Sequence, residues 1–192
     1  MPRMGRGASE LAPLDIARAC LLHQGMRTAL DAPLASLDDQ ERNFVTNIAE
    51  HGWFGTHVAA EDEGPDFSFT TGFWLNLQFP EIIVFSLKGE RAHNVLWHVF
   101  REIKEGRPLA QGMPLPDIFS GLQAMLLPVA REHYDAHLGW SRWFYGGDDF
   151  PCLQLVWPDR NGIFPWQPGF ATEFEGRQPD LTERGWAAAL AM

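Results

Sequence analysis

His133 and His137 stand four residues apart in REHYDAH, the spacing that puts two imidazoles on one helix face and offers two ligands to a metal ion. Glu132 and Asp135 could add oxygen ligands, but Tyr134 follows His133 where a zinc hydrolase carries its glutamate base. Two ligands make half a site, and a solvated helix with two histidines has the same spacing. Ligand binding has stronger candidates. In FSFTTGFW, Thr71 and Gly72 interrupt an aromatic run, and glycine there marks a bulge or something lying close to the backbone. In CLQLVWPDRNGIFPW, Gln154, Trp157, Asp159 and Trp166 set flat apolar faces beside polar groups, as the wall of a small-molecule pocket does. A cross-strand aromatic pair with a turn-forming aspartate gives the same composition. An enzyme of hydrolase or transferase type remains an alternative if Thr71, Glu81, His57 and Asp159 meet in three dimensions, with Glu81 or His57 as general base. No GxSxG, SxxK or Cys-His signature marks a preformed nucleophile, and the acidic stretch Glu61, Asp62, Glu63 and Asp66 lacks EF-hand spacing.

These residues must be positioned by a small set of elements. Asp38 or Asp39 can cap a helix in which Phe44, Val45, Ile48 and Ala49 recur at helical spacing, and Gly52 ends it. WFGTHVAA and FSFTTGFW, joined by an acidic Gly-Pro turn, predict an antiparallel pair. EIIVFSL is continuously apolar, the mark of a central strand buried on both faces. Ala92, Val95, Leu96, Val99, Phe100 and Ile103 predict an amphipathic helix ending near Gly106 and Pro108. One short strand within GRPLAQGMPLPDIFSG, a strand over LQAMLLPVA and a helix over REHYDAHLGWSRWFYGG follow. CLQLVW, turning at PDRNG and returning as IFPW, predicts a hairpin whose second strand Pro165 confines to an edge or a bulge. LDIARACLLHQGMRTAL predicts a further helix near the N-terminus. The class expected is α+β: a mainly antiparallel sheet of about five or six strands packed with three or four helices. No glycine-rich strand-to-helix loop points to a doubly wound nucleotide fold. Residues 1–37 read as a partly helical extension, 38–176 as a single domain and 177–192 as a tail.

The chain of 192 residues is 45% hydrophobic and carries a formal charge of −10, enough apolar material for a core. That charge argues against nucleic acid, whose phosphates demand a basic surface. Residues 1–30 carry four arginines against Glu10 and Asp15, so the remainder is more acidic still and favours a basic partner. Cys20 and Cys152 have no metal-type spacing and read as reduced, buried thiols. No apolar run approaches the ~18 residues of a membrane helix, and no signal-peptide core follows the basic start, so a cytoplasmic protein is expected.

HGW at 51–53, FSFTTGFW at 67–74, FPEIIVFSL at 79–87, the helix with His93 and Asn94, and LQLVWPDRNGIFPW at 153–166 together resemble domain-of-unknown-function family 4262, over roughly residues 40–170. The resemblance implies a bacterial, intracellular α+β protein and brings no established reaction. In the family pattern Thr-x-Gly is followed by Gly-His-Pro-Glu and an apolar strand. Here Gln78 and Phe79 replace Gly-His while Pro80 and Glu81 remain, which counts against histidine-dependent chemistry in this chain. The reading that results is a non-catalytic module holding a protein partner or small ligand at its aromatic hairpin, through Thr71, Gly72, Glu81, Gln154, Trp157, Asp159 and Trp166. No cofactor is strongly implied, and metal binding by His133 and His137 is the third reading.

Overall fold

The computed structural model describes residues 27–60, 64–119 and 121–191. Six strands form one sheet in the order β1-β2-β3-β6-β5-β4: β1 Phe54–Val58, β2 Phe67–Thr71, β3 Glu81–Phe85, β4 Pro114–Phe119, β5 Leu122–Pro128 and β6 Cys152–Val156. Two antiparallel meanders, β1-β2-β3 and β4-β5-β6, are joined at the centre by the parallel pair of β3 and β6. The class is α+β with a mainly antiparallel sheet, as the sequence predicts.

Local signals decide the two long helices. α1, Asp39–His51, starts with reciprocal capping: the Asp38 carboxylate accepts from the Glu41 N–H at 2.8 Å and the Glu41 carboxylate from the Asp38 N–H at 2.9 Å. Gly52 closes it in the left-handed region at φ +84°. α3, Gly89–Lys104, buries Ala92, Val95, Leu96, Val99 and Phe100 on one side of the sheet, against Ile82, Val84, Leu126, Leu153 and Leu155. On the other side α1 and α5 (Gly139–Tyr145) bring Phe44, Ile48, Phe144 and Tyr145 onto Ile83, Phe85 and Cys152. β3 and β6 are therefore buried along both faces, which is why EIIVF is uninterruptedly apolar after Glu81.

Three expected elements differ. FSFTTGFW is a strand only to Thr71; Gly72 at φ +112° turns the chain into a short helix, α2, Phe73–Leu77. REHYDAHLGWSRWFYGG is broken into a 3-10 turn over 131–133, then α4, Tyr134–His137, and α5, with a change of direction at Leu138. IFPW forms no return strand. After β6 only Asp159 and Ile163 pair, Asp159 N–H to Ile163 C=O at 2.8 Å, because the Asp159 side chain takes the backbone N–H groups a ladder would use. The aromatic hairpin is thus a capped turn and loop. Most of the expected N-terminal helix, Cys20 and the acidic residues 61–63 lie outside the described residues. Cys152 is a buried free thiol. Residues 177–182 pack into the body, with Leu181 buried and its C=O accepting from Ala130 N–H at 2.7 Å, and α6, Trp186–Leu190, follows. Among the described residues no helix is long and apolar enough to cross a membrane.

Gln78, exposed at the end of α2, sits at φ +54°, where the family pattern places glycine. A side chain in the left-handed region costs about 1–2 kcal/mol, partly offset by the greater unfolded freedom of glycine. Gln78→Gly is expected to raise stability by about 0.5–1 kcal/mol, read as a higher urea midpoint at unchanged slope; a lower midpoint would contradict this account.

Candidate functional site

The polar residues singled out at β2 and β3 do converge, but inward. Glu81 opens β3 with no exposed surface. Its Oε2 accepts from Thr70 Oγ1 at 2.6 Å, and its Oε1 accepts from the N–H groups of Gly72 at 2.9 Å and Trp74 at 3.0 Å and from the Tyr145 hydroxyl. Thr70 Oγ1 also accepts from Ile82 N–H at 2.9 Å, and Thr71 Oγ1 pairs with Ser141 Oγ at 2.7 Å. What lies close to Gly72 is the turn after α1: a Cβ there would come within 2.7 Å of the Gly52 carbonyl oxygen and 3.0 Å of Trp53 Cα. Thr-x-Gly and Pro-Glu of the family pattern are therefore two halves of one buried network. Burial drives the Glu81 carboxyl above its ordinary value, with the four hydrogen bonds pulling the other way. The Tyr145 hydroxyl is pushed up by burial and by the facing carboxylate, as is the Cys152 thiol, which makes that thiol unreactive.

Gln154, Trp157 and Asp159 are equally committed to structure. The Gln154 amide donates to Pro179 C=O at 2.8 Å. Trp157 is 8% exposed; its indole N–H donates to Phe85 C=O at 2.9 Å, and its backbone N–H and C=O are both bound by the Gln178 amide. Asp159 Oδ1 accepts from Asn161 and Ile163 N–H and Oδ2 from Ala171 N–H. Burial alone would raise its carboxyl, yet these three donors hold it below its usual value. Trp166 stacks on Phe164 at 4.7 Å, on the opposite side of the sheet from Trp157.

The residues considered for catalysis do not meet. Glu81 pairs with Cys152 at the start of the parallel strands and Asp159 lies beyond their far end, while His57 is on edge strand β1, hydrogen-bonded to Ser68 at 2.9 Å. His137 Nδ1 bonds the His133 backbone carbonyl at 3.0 Å and its ring packs edge-on against Phe67 and Phe85. Among the described residues no group of three or more His, Cys, Asp or Glu side chains comes together to hold a metal ion.

A different set lines an accessible hollow of about 280 Å³ at the carboxyl ends of β3 and β6. Its walls are Leu87, Phe119, Leu122, the edge of Trp157 and Phe174; Arg91, Arg160 and Arg177 surround it. The Arg160 and Arg177 guanidiniums lie 5.9 and 5.6 Å from the centre of the Phe174 ring, and Phe174 packs edge-on against Trp157 at 5.6 Å. Ser86, at φ +54° just after β3, donates its hydroxyl to Arg177 C=O at 2.8 Å and so pins that residue at the rim. Arg42, Arg107, Arg131 and Arg142 each pair with a carboxylate; Arg91, Arg160 and Arg177 have none among the described residues. The one carboxylate on the wall, Asp159, is turned to backbone donors. A larger hollow of about 610 Å³ beside Val129 has Arg131 already paired with Asp149 and two glutamates at its rim, a less selective set. Arg91 and Arg160 were within reach of the sequence, on the polar face of the amphipathic helix and in the PDRNG turn; Arg177 and Phe174 carried no local signal.

The Glu81 network makes a testable link to pH. Because the folded protein holds this proton more tightly than the unfolded chain, its contribution to stability is complete below about 4.5 and is lost as pH rises through the raised value. Glu81→Gln leaves one of these donors without an acceptor and is expected to cost about 1–3 kcal/mol. The difference in unfolding free energy between wild type and variant, measured by urea titration from acid to neutral pH, should shrink as pH rises; a constant difference would refute the assignment.

A family model described as a domain of unknown function, DUF4262, matches residues 47–171, which include β1 to β6, Glu81 with its partners Thr70, Gly72, Trp74 and Tyr145, and the Trp157–Asp159 turn. Comparison with curated proteins and with solved structures finds no match. The match spans well over half of the sequence, and the chain belongs to the DUF4262 family.

Proposed function

We propose that this protein is a ligand-binding module whose site is the arginine-rimmed hollow at the carboxyl ends of β3 and β6, and that its ligand is a small anion with a flat apolar portion. The carrying observation is that Arg91, Arg160 and Arg177, which have no carboxylate partner among the described residues, line one hollow, with Arg160 and Arg177 against the Phe174 ring. Guanidiniums without a carboxylate partner offer donors to a carboxylate or phosphate, and the aromatic ring beside them suits a planar group. Arg177 does so through its terminal nitrogens, because its Nε donates to Glu173 C=O at 3.0 Å. The hollow is of small-molecule size. Trp157 supports this site from beneath, so its removal would test folding, whereas the arginines can be replaced without touching the core.

Biphenyl-4-carboxylate serves as a probe. Titration calorimetry should show saturable binding that weakens with added salt. The double variant Arg160→Ala/Arg177→Ala should bind at least about tenfold more weakly, as expected for losing charge-assisted hydrogen bonds. Equal affinity in wild type and variant would remove the proposal.

A further inference from the structure

The hollow does not end at Arg91. That residue, with Phe119 and Leu122, is also the wall of a second depression of about 450 Å³ that runs along α3. Its other polar lining residues are Asn94, His98 and Arg101. With Arg91 they stand at steps of three, four and three residues, so all four share one face of the helix. The floor between the two ends is apolar, made by Val95, Ile118, Phe119 and Leu122. No carboxylate is among the described residues lining the second depression. Glu102 lies outside it, engaged by Arg107 at 3.0 Å and by His98 at 3.6 Å, and Glu105 is taken by Arg107 at 2.5 Å. Arg101 forms no salt bridge among the described residues: its guanidinium meets the His98 ring at 3.4 Å, and its charge acts on Glu105 only at longer range.

We infer that the site takes an elongated ligand with two anionic groups separated by a rigid apolar spacer. One end is held by Arg160 and Arg177 beside Phe174, the spacer lies over Phe119 and Leu122, and the other end reaches Arg101. Arg91, between them, steers either group. This rests on the reading of the arginine hollow as the ligand site and extends it. Arg91, shared by the two depressions, is roughly 15 Å from Arg101 along the axis of α3 at the helical rise, and Arg160 and Arg177 line the first depression and not the second. A short dianion would leave one end unmatched. A neutral apolar molecule would leave the rim arginines, which are already solvated, with nothing to gain. Carboxylates and phosphate esters share the required chemistry.

Three rigid probes separate the possibilities: biphenyl-4-carboxylate, biphenyl-4,4′-dicarboxylate and biphenyl-2,2′-dicarboxylate, the last with the same charge as the second but its carboxylates close together. The wild-type protein is expected to bind the 4,4′ isomer at least about tenfold more tightly than the monoacid, the gain from one further charge-assisted contact. Arg101→Gln, on the exposed face of α3, should abolish that advantage and leave the monoacid affinity unchanged. If the 2,2′ isomer binds as tightly as the 4,4′ isomer, charge alone is being sensed and the two-ended site is overturned. If the monoacid binds through Arg160 and Arg177 but the 4,4′ isomer gains nothing, the extension fails while the hollow stands as a site. Binding of none of the three at millimolar concentration removes both.

Discussion

Glu81 can lie at the centre of the fold only because donors from separate parts of the chain converge on its carboxyl group, and that requirement dictates how β2, α2 and α5 meet. Thr70 comes from the end of β2, the Gly72 and Trp74 N–H groups from the start of α2, and the Tyr145 hydroxyl from the last turn of α5. A carboxyl group moved from water into a protein interior without partners would be strongly unfavourable. With these partners it does what an apolar side chain cannot: it satisfies backbone N–H groups that the turn into a short helix leaves without acceptors. The Glu81 backbone N–H is itself bound by Pro151 C=O at 2.9 Å, so the same residue fixes where β3 and β6 come alongside. Gly72 is the one residue able to take part, since its left-handed conformation and its 2.7 Å approach to the Gly52 carbonyl leave no room for a Cβ.

From that start the parallel pair runs to its other end, where the exposed arginines gather. Two devices hold that end together. The Gln178 amide binds both backbone polar groups of Trp157, in place of a seventh strand, and Asp159 gathers three N–H groups of the loop that follows. Between them they set Arg160, Phe174 and Arg177 around a hollow next to the first turns of α3. The WPD stretch acts as scaffold for its neighbours. Its tryptophan and aspartate are buried, and the group they present to solvent is the arginine that comes next.

Net charge conceals this arrangement. A chain at −10 reads as a surface for basic partners, yet the groove along α3 and the WPD loop carries guanidiniums without carboxylate partners. Charges beyond about a Debye length of ~8 Å are screened at physiological ionic strength, so a local cluster governs close binding while the global charge governs approach. The acidic bulk therefore opposes large polyanions and tolerates small ones.

The sequence by itself determined the elements whose signals are local or periodic. Asp38, Glu41 and Gly52 mark both ends of α1, the spacing from Ala92 to Ile103 makes α3 amphipathic, and the unbroken EIIVF run needs a position at the sheet centre. It also showed, through Thr-x-Gly and Pro-Glu, which residues belong to one pattern. What it left open was whether that pattern faced a ligand or the core, because a polar side chain with buried partners and one with a bound molecule have the same identity in a sequence. Only the tertiary structure decided that Glu81, Gln154, Trp157 and Asp159 direct their hydrogen bonds to other groups of the chain itself. It alone brought Arg91, Arg160 and Arg177 together, since they come from three distant points of the chain and are juxtaposed by the pairing of β3 with β6 and the return of the C-terminal segment. Side-chain type is local information, whereas which donors remain unpaired depends on every neighbour that folding supplies.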